Sequence, residues 1–392
     1  MKSKAKQSFS VEHLVNNLTS PKATMILLLL CLLSLVSFGA NAQFIPEIFS
    51  PIQNLPQVSA LYVMGDSSVD CGENTPLYPY LHRIFSLVPC NGSDETLLPY
   101  LLAKNMGLPK ILPFYGQNGS LEGLRTGLNF GSAHATIMKP GSESHQSLNQ
   151  QLRQVLETFQ LLELQLGEET AQQFIKSSVL YLSFGRDDYV DLYLRNSSGM
   201  MLKHSGQEFA EILVDQIVHA IMRLYDASVR KIICMSILPL GCTPRTVWEW
   251  RNTSAVDSTG CVQEINELVL EYNIILEERI IELNTQFKDA EFIFCDVYGG
   301  LMEIITNPNH YGFEDAKSVC CGFGLHGLII GCLSAEMACE QPAAHVWWDL
   351  YNPSQAVNSL LADAAWSGQT LSGICHPIMV EDMVYSVILH NN

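Results

Sequence analysis

The tetrapeptide Gly65-Asp66-Ser67-Ser68 follows an apolar run that ends at Met64. A serine at a strand-to-helix turn is well placed as a nucleophile, because the tight turn presents its hydroxyl and the next backbone N–H can face a developing oxyanion. A Gly-Asp-Ser tripeptide is also an ordinary turn with a helix N-cap, so alone it does not define an enzyme. Two further segments directly follow apolar runs, Gly185-Arg186-Asp187-Asp188 and Pro239-Leu240-Gly241-Cys242. Ligands of open α/β sheets collect outside the carboxyl ends of the strands, so chemistry is expected at these three places. Asp187 and Asp188 form a carboxylate pair, but neighbours on an extended strand end point to opposite faces, which argues against joint acid/base work.

The elements that must position these residues are visible as two kinds of pattern. Ala60 to Met64, Val179 to Phe184, Lys231 to Leu238 and Glu291 to Val297 are short runs rich in β-branched or aromatic residues. Near-continuous hydrophobicity predicts strands buried on both faces, as in a parallel sheet. Between them, Gln207 to Tyr225 places Phe209, Ile212, Leu213, Ile217, Ala220, Ile221 and Leu224 on one helical face, and Val262 to Phe287 repeats the pattern. Leu152 to Leu166 carries another helical stripe. Strands alternating with helices predict a three-layer α/β domain with right-handed crossovers. No low-complexity linker and no fixed-period repeat interrupts the chain, so one domain is expected over 43–392.

Composition excludes several classes. A chain of 392 residues with 47% apolar residues can bury a large core and is not disordered. Its formal charge of −18, without a basic cluster beyond the first 25 residues, argues against nucleic acid and anionic membrane surfaces as partners. Lys2, Lys4, Lys6 and Lys22 precede the apolar run Met25 to Phe38, and Ala40-Asn41-Ala42 has the small-x-small pattern of a signal-peptidase site. The run is shorter than the roughly 20 residues a membrane span needs, so residues 1–42 read as a signal peptide rather than a stable anchor. Cleavage after Ala42 moves the formal charge to −21 and leaves 11 of the 12 cysteines. In an oxidising compartment most should pair, with at least one thiol left over. The late cluster Cys320-Cys321, Cys332 and Cys339 lacks C-x-x-C spacing, which favours disulfides over a metal site. Sequons at Asn91, Asn118, Asn196 and Asn252 predict solvent-facing, glycosylated loops.

The stretch "ALYVMGDSSVDCG" at 60–72 resembles the first block of the plant-type GDSL esterase/lipase family, a branch of the SGNH hydrolases. "GLNFGSA" at 127–133, "VLYLSFGRDDY" at 179–189, "ILPLGCTPR" at 237–245, "CCGFG" at 320–324 and "WWDLYNPSQ" at 347–355 are similar to later landmarks of that family, in order, over about 60–366. The resemblance implies a flavodoxin-like α/β/α fold and a serine hydrolase of carboxylic esters, lipid or cell-wall, that needs no cofactor. It also implies bridges joining Cys242 to Cys261 and within the Cys320 to Cys339 cluster. Carried across position by position, Ser67 matches the nucleophile and Asp349 the orienting acid.

Three other positions depart from the family pattern. Asn352 stands where the family has its catalytic His, and a carboxamide has no basic nitrogen to take the Ser67 proton. Asp187 replaces the oxyanion Asn, exchanging a neutral donor for a carboxylate that would repel a developing oxyanion. The second-block small-Gly-Gly run reads Ser132-Ala133-His134, which predicts loss of close backbone approach and a bulky ring beside the site. Gly185, Ala133 and His134 are the expected substrate-contacting positions. His345 and His134 are candidate substitute bases; the alternatives are packing for His345 and lining or blocking the pocket for His134. Asp66 and Asp70 are expected to make local backbone hydrogen bonds, and Trp347 and Trp348 to lie in the core. Two functions remain open: weak or absent hydrolysis through Ser67, or non-catalytic binding of an acyl, ester or other extracellular partner. Oligomeric state is not readable from the chain.

Overall fold

The structure, a computed structural model, describes residues 58–72, 74, 94–141, 145–195, 198–252, 255–322, 332 and 335–386. The leader and its cleavage site, Cys90, Asn91 and Asn196 lie outside these residues.

Nine strands form, in chain order β1 Leu61–Gly65, β2 Leu112–Pro113, β3 Leu128–Asn129, β4 Val179–Ser183, β5 Lys231–Met235, β6 Glu291–Cys295, β7 Asp315–Val319, β8 His345–Trp347 and β9 Cys375–His376. The main sheet runs β2-β3-β1-β4-β5-β6-β9, parallel except for the antiparallel β6–β9 pair, and β7 and β8 form a separate parallel pair. The principal helices are α1 Leu98–Asn105, α2 Leu148–Leu166, α3 Glu168–Lys176, α4 Gly206–Asp226, α5 Gln263–Gln286, α6 Val297–Thr306 and α7 Gln355–Trp366.

Alternation along each strand divides the core into two layers. Tyr62, Met64, Leu180, Leu182, Ile232, Phe292 and Phe294 pack against α2 to α5. Leu61, Val63, Val179, Tyr181, Ile233 and Ile293 pack on the opposite face, against α1, α6 and α7. With both faces covered, β1, β4 and β5 are buried along their whole length, and this is why their sequences are apolar without a period of two. The three-layer, mostly parallel architecture expected from the sequence is therefore present. The helices expected at Gln207 to Tyr225 and Val262 to Phe287 match α4 and α5 to within a residue or so at each end. The start of α4 is set by a capping box: Glu208 N–H donates to Ser205 Oγ while Ser205 N–H donates to the Glu208 carboxylate.

Disulfides join Cys242 to Cys261, Cys295 to Cys375, Cys320 to Cys339 and Cys321 to Cys332. The late cluster is thus bridged, and the Cys295 to Cys375 bond ties β6 to β9. Cys71 is also disulfide-bonded, and Cys234, buried in β5, is a free thiol. Trp347 and Trp348 are buried as expected. No helix among the described residues is long and apolar enough to cross a membrane.

Candidate active site

The strand order changes direction around β1. Its neighbours are β3 on one side and β4 on the other, so the segments leaving the carboxyl ends of β1, β3 and β4 converge. These segments carry Ser67, His134 and Asp187. The Pro239-Leu240-Gly241-Cys242 segment does not join them. It forms a short 3-10 turn held by the Gly241 N–H to Asn266 Oδ1 bond and by the Cys242–Cys261 disulfide.

The turn after β1 requires Gly65, because a Cβ there would lie 2.5 Å from the Ser183 carbonyl and 2.6 Å from a Val69 methyl. Asp66 then organises the turn. Its Oδ1 accepts the Ser68 N–H at 3.0 Å, and its Oδ2 accepts the Asp187 N–H at 3.3 Å. Asp70 accepts the N–H groups of Asn74 and Ala133. Both aspartates thus make the backbone hydrogen bonds expected of them, and Asp66 also ties β1 to β4.

Gly185, at φ 109°, turns the chain sharply out of β4 into a helical turn over Arg186–Asp188. Asp187 and Asp188 are therefore helical rather than at an extended strand end, because the left-handed glycine ends the strand before them. Their carboxylates still diverge. Asp188 accepts the N–H groups of Ile137 and Met138 at 2.9 to 3.1 Å. Burial pushes its pKa up to about 8 against those bonds.

Asp187 faces Ser67. One carboxylate oxygen, Oδ2, accepts the Ser67 hydroxyl at 2.6 Å and the Ser67 N–H at 3.0 Å. Ser67 Oγ in turn accepts the backbone N–H of His134 at 2.9 Å. The close backbone approach thought lost with the second-block glycine is therefore retained. His134 achieves it at φ 61°, in the left-handed region. Its ring pairs with Asp191: the side chain is 70% exposed and its Nδ1 lies 2.9 Å from Asp191 Oδ2. The hydrogen bond to Asp191 raises the His134 pKa, and Arg195 completes the group through Asp191 at 2.7 Å. The Ala133 N–H is taken by Asp70 at 2.7 Å.

Asp349 and Asn352 lie in the turn after β8. Asp349 Oδ1 accepts the N–H groups of Tyr351 and Asn352, and Oδ2 accepts the Asn352 carboxamide at 2.8 Å. The carboxamide oxygen of Asn352 accepts from Arg186 at 2.7 Å, and the same guanidinium nitrogen reaches the Ser67 carbonyl at 3.2 Å. Asn352 makes no hydrogen bond to Ser67. His345, half-buried on β8 opposite Asp315, makes none either.

Arg186 and Asp191 were passed over in the sequence. Arg186 stands between the turn glycine Gly185 and Asp187. Its charge next to two acidic residues was the available signal. Asp191 lies two residues past the block, with nothing local to pair it with His134.

A serine presented at the carboxyl end of the central strand of a three-layer sheet, with a backbone N–H donor opposite it and an Asp on a late loop, defines the site of a serine-hydrolase fold. The GDSL-like lipase/acylhydrolase family pattern matches residues 61–365, and the chain belongs to that family. It is 29% identical to GDSL esterase/lipase At1g71250 of Arabidopsis thaliana over 342 residues, covering 83% of this chain and 89% of the relative. It is 26% identical to GDSL esterase/lipase At5g37690 of the same plant (88% and 96% covered) and 27% identical to GDSL esterase/lipase 7 (84% and 92%).

Proposed function

We propose that this protein is a secreted, glycosylated single-domain member of the GDSL esterase/lipase family whose ester-hydrolysing centre is closed, leaving hydrolysis weak or absent and the cleft free for non-catalytic binding. The observation that carries the proposal is the pairing of Ser67 with Asp187. Acyl transfer needs the Ser67 N–H and the second-block N–H to hold the oxyanion. Here the Ser67 N–H is taken by Asp187 and the His134 N–H by the Ser67 hydroxyl itself.

Asp187 is also a poor substitute base. The same oxygen would have to accept the Ser67 proton and vacate the Ser67 N–H for the oxyanion, and its charge opposes the charge that develops there. Asn352 supports the same conclusion, since it is engaged by Asp349 and Arg186 and has no basic nitrogen. Loss of one oxyanion donor costs about 10²–10³ in kcat, and a triad without its His retains only about 10³–10⁴ over water. Secretion is supported by the leader pattern and by the disulfides in the C-terminal third. Glycosylation is supported at Asn118 and Asn252, which are exposed.

The test is hydrolysis of p-nitrophenyl acetate and butyrate by the wild type, Ser67→Ala and the double variant Asp187→Asn/Asn352→His. Wild-type turnover is expected to equal that of Ser67→Ala, and the double variant to exceed both by at least about 10²-fold. Wild-type turnover clearly above Ser67→Ala would overturn the proposal.

A further inference from the structure

At the carboxyl ends of helices α1 and α7, beside the short helix Val380–Tyr385, lies a surface depression of about 370 Å³. It is remote from Ser67. Helix α7 starts three residues past Asn352, and its 12 residues carry the chain about 18 Å before Trp366 reaches the depression.

Four segments build it. Asn105 ends α1, Asp363 and Trp366 lie in the last turn of α7, and Glu381 lies in the first turn of Val380–Tyr385. Gln369 and Thr370 come from the loop after α7, where Gly368 reverses the chain at φ 68°. A Cβ on Gly368 would lie 2.9 Å from the Gly373 Cα, so the loop is pinched at its neck, with Gln369 and Thr370 exposed within it.

The lining has a definite chemistry. Trp366 supplies a half-buried indole whose ring meets Tyr385 edge-on at 6.4 Å. Asn105 and Gln369 each bring a donor and an acceptor, Thr370 a hydroxyl that does both, and Asp363 and Glu381 acceptors only. None of these polar side chains is hydrogen-bonded or ion-paired to another described residue. No Lys or Arg lines the depression, so a phosphate or carboxylate ligand would meet two carboxylates and no cation. The described residues hold no group of three His, Cys, Asp or Glu side chains fit for a metal ion. An amine offers donors only and would leave the carboxamide N–H groups unmatched. An apolar chain would take water from the polar rim and return no hydrogen bond.

We propose that this depression binds a neutral sugar ring of a glycan, its C–H face lying on Trp366 and its hydroxyls exchanging hydrogen bonds with the surrounding polar side chains. Sugar hydroxyls both donate and accept, so among these ligand classes they alone match a lining that does both. Those that donate to Asp363 and Glu381 make charge-assisted bonds. The volume lies in the range of small-molecule sites. Placed away from Ser67, the site would anchor the protein to a glycan without obstructing the cleft.

The test is calorimetric titration of the whole protein, and of Ser67→Ala, with cellotriose, xylotriose and mannotriose, using trigalacturonate and putrescine as anionic and cationic probes. At least one neutral trisaccharide should bind saturably and equally to both proteins, at about 1 mM or tighter. Trigalacturonate and putrescine should bind at least about tenfold more weakly. Gln369→Ala/Thr370→Ala removes exposed side chains that hold nothing in the fold; it should weaken the sugar by about 5- to 100-fold and leave the urea midpoint unchanged. Trp366→Ala should abolish measurable binding, and Trp366→Phe, which keeps an aromatic face, should retain part of it. Failure of all three neutral sugars to bind, tighter binding of putrescine or trigalacturonate, or full affinity in Gln369→Ala/Thr370→Ala would each overturn the assignment. Loss of sugar binding in Ser67→Ala would place the ligand in the cleft instead and overturn it equally.

Discussion

Asp187 Oδ2 accepts two hydrogen bonds from one residue, the hydroxyl and the amide N–H of Ser67, at 2.6 and 3.0 Å. One carboxylate oxygen therefore takes both polar hydrogens of Ser67. Around it the side chains of Arg186, Asn352 and Asp349 form a continuous hydrogen-bonded chain. Asp187 and Asn352 are thus linked through Arg186, whose Nε lies 3.7 Å from Asp187 Oδ1 and whose guanidinium donates to Asn352.

That connection predicts a stability effect separate from activity. Asp187 and Arg186 are both buried. Asp187→Ala strips the Ser67 N–H of its acceptor and leaves the Arg186 charge without its nearest carboxylate, and it should destabilise by about 3–5 kcal/mol. Asp187→Asn keeps one carbonyl oxygen for the Ser67 N–H and should cost only about 1–3 kcal/mol. Urea unfolding of the two variants checks the order; an alanine variant as stable as the asparagine one would contradict a structural role for the carboxylate.

At His134 the backbone and the ring make separable contributions. Both His134→Gly and His134→Ala remove the exposed ion pair with Asp191, which is worth about 0–1 kcal/mol. They differ in tolerance of φ 61°, where a Cβ costs about 1–2 kcal/mol. The glycine variant should be the more stable of the two by roughly that amount, read as a difference in urea midpoint at constant slope. Equal midpoints would mean that His134 does not hold the left-handed conformation in solution.

Cys234 gives a redox prediction. It is free, buried in β5, and burial pushes its thiol pKa up, so the reactive thiolate is suppressed. In the native protein Cys234 should resist a thiol-specific reagent over hours, and it should react promptly in denaturant. Peptide mapping of the labelled chain would identify the site; rapid native labelling at Cys234 would show that β5 opens far more readily than its burial implies.

How much of this was legible in the chain depended on the kind of pattern each part leaves. Strands β1, β4, β5 and β6 were visible because burial on both faces writes an unbroken apolar run. Leu112–Pro113, Leu128–Asn129 and Cys375–His376 are two-residue strands that leave no period at all. Motif blocks single out Ser67 and Asp349 as candidates, but the contact between Ser67 and Asp187 spans 120 positions and is made by the β1–β4 pairing. Reading a lost glycine at 134 as a lost backbone contact assumed that only glycine adopts φ 61°. The cost for another residue is small enough for the Ser67 and Asp191 hydrogen bonds to offset.

The buried carboxylates also set the direction of the pH response. Burial, reinforced by the charge of Asp187, pushes Asp66 up to about 7, and burial pushes Asp188 up to about 8. In the unfolded chain both should titrate near the reference of about 3.9. Between about pH 4 and pH 8 the folded protein therefore holds more protons than the unfolded one, and stability falls as pH rises through this window. His134 acts in the same sense, since its hydrogen bond to Asp191 raises its pKa: its contribution is complete below about 6.5 and is lost as pH rises through the folded value. Opposing groups act further down. At Asp191 burial is outweighed by the bond from His134, and at Asp315 by the N–H groups of Ser318 and Lys317. Their lowered pKa values stabilise the fold above about 3.9 and lose that effect on acidification. Stability should thus peak at about pH 4–5 and decline toward pH 8, a profile measurable by urea unfolding across that range. Asp188→Asn removes one of the titrating groups and should flatten the decline; stability rising from pH 5 to pH 8 in the wild type would show that Asp66 and Asp188 are ionised in the folded protein.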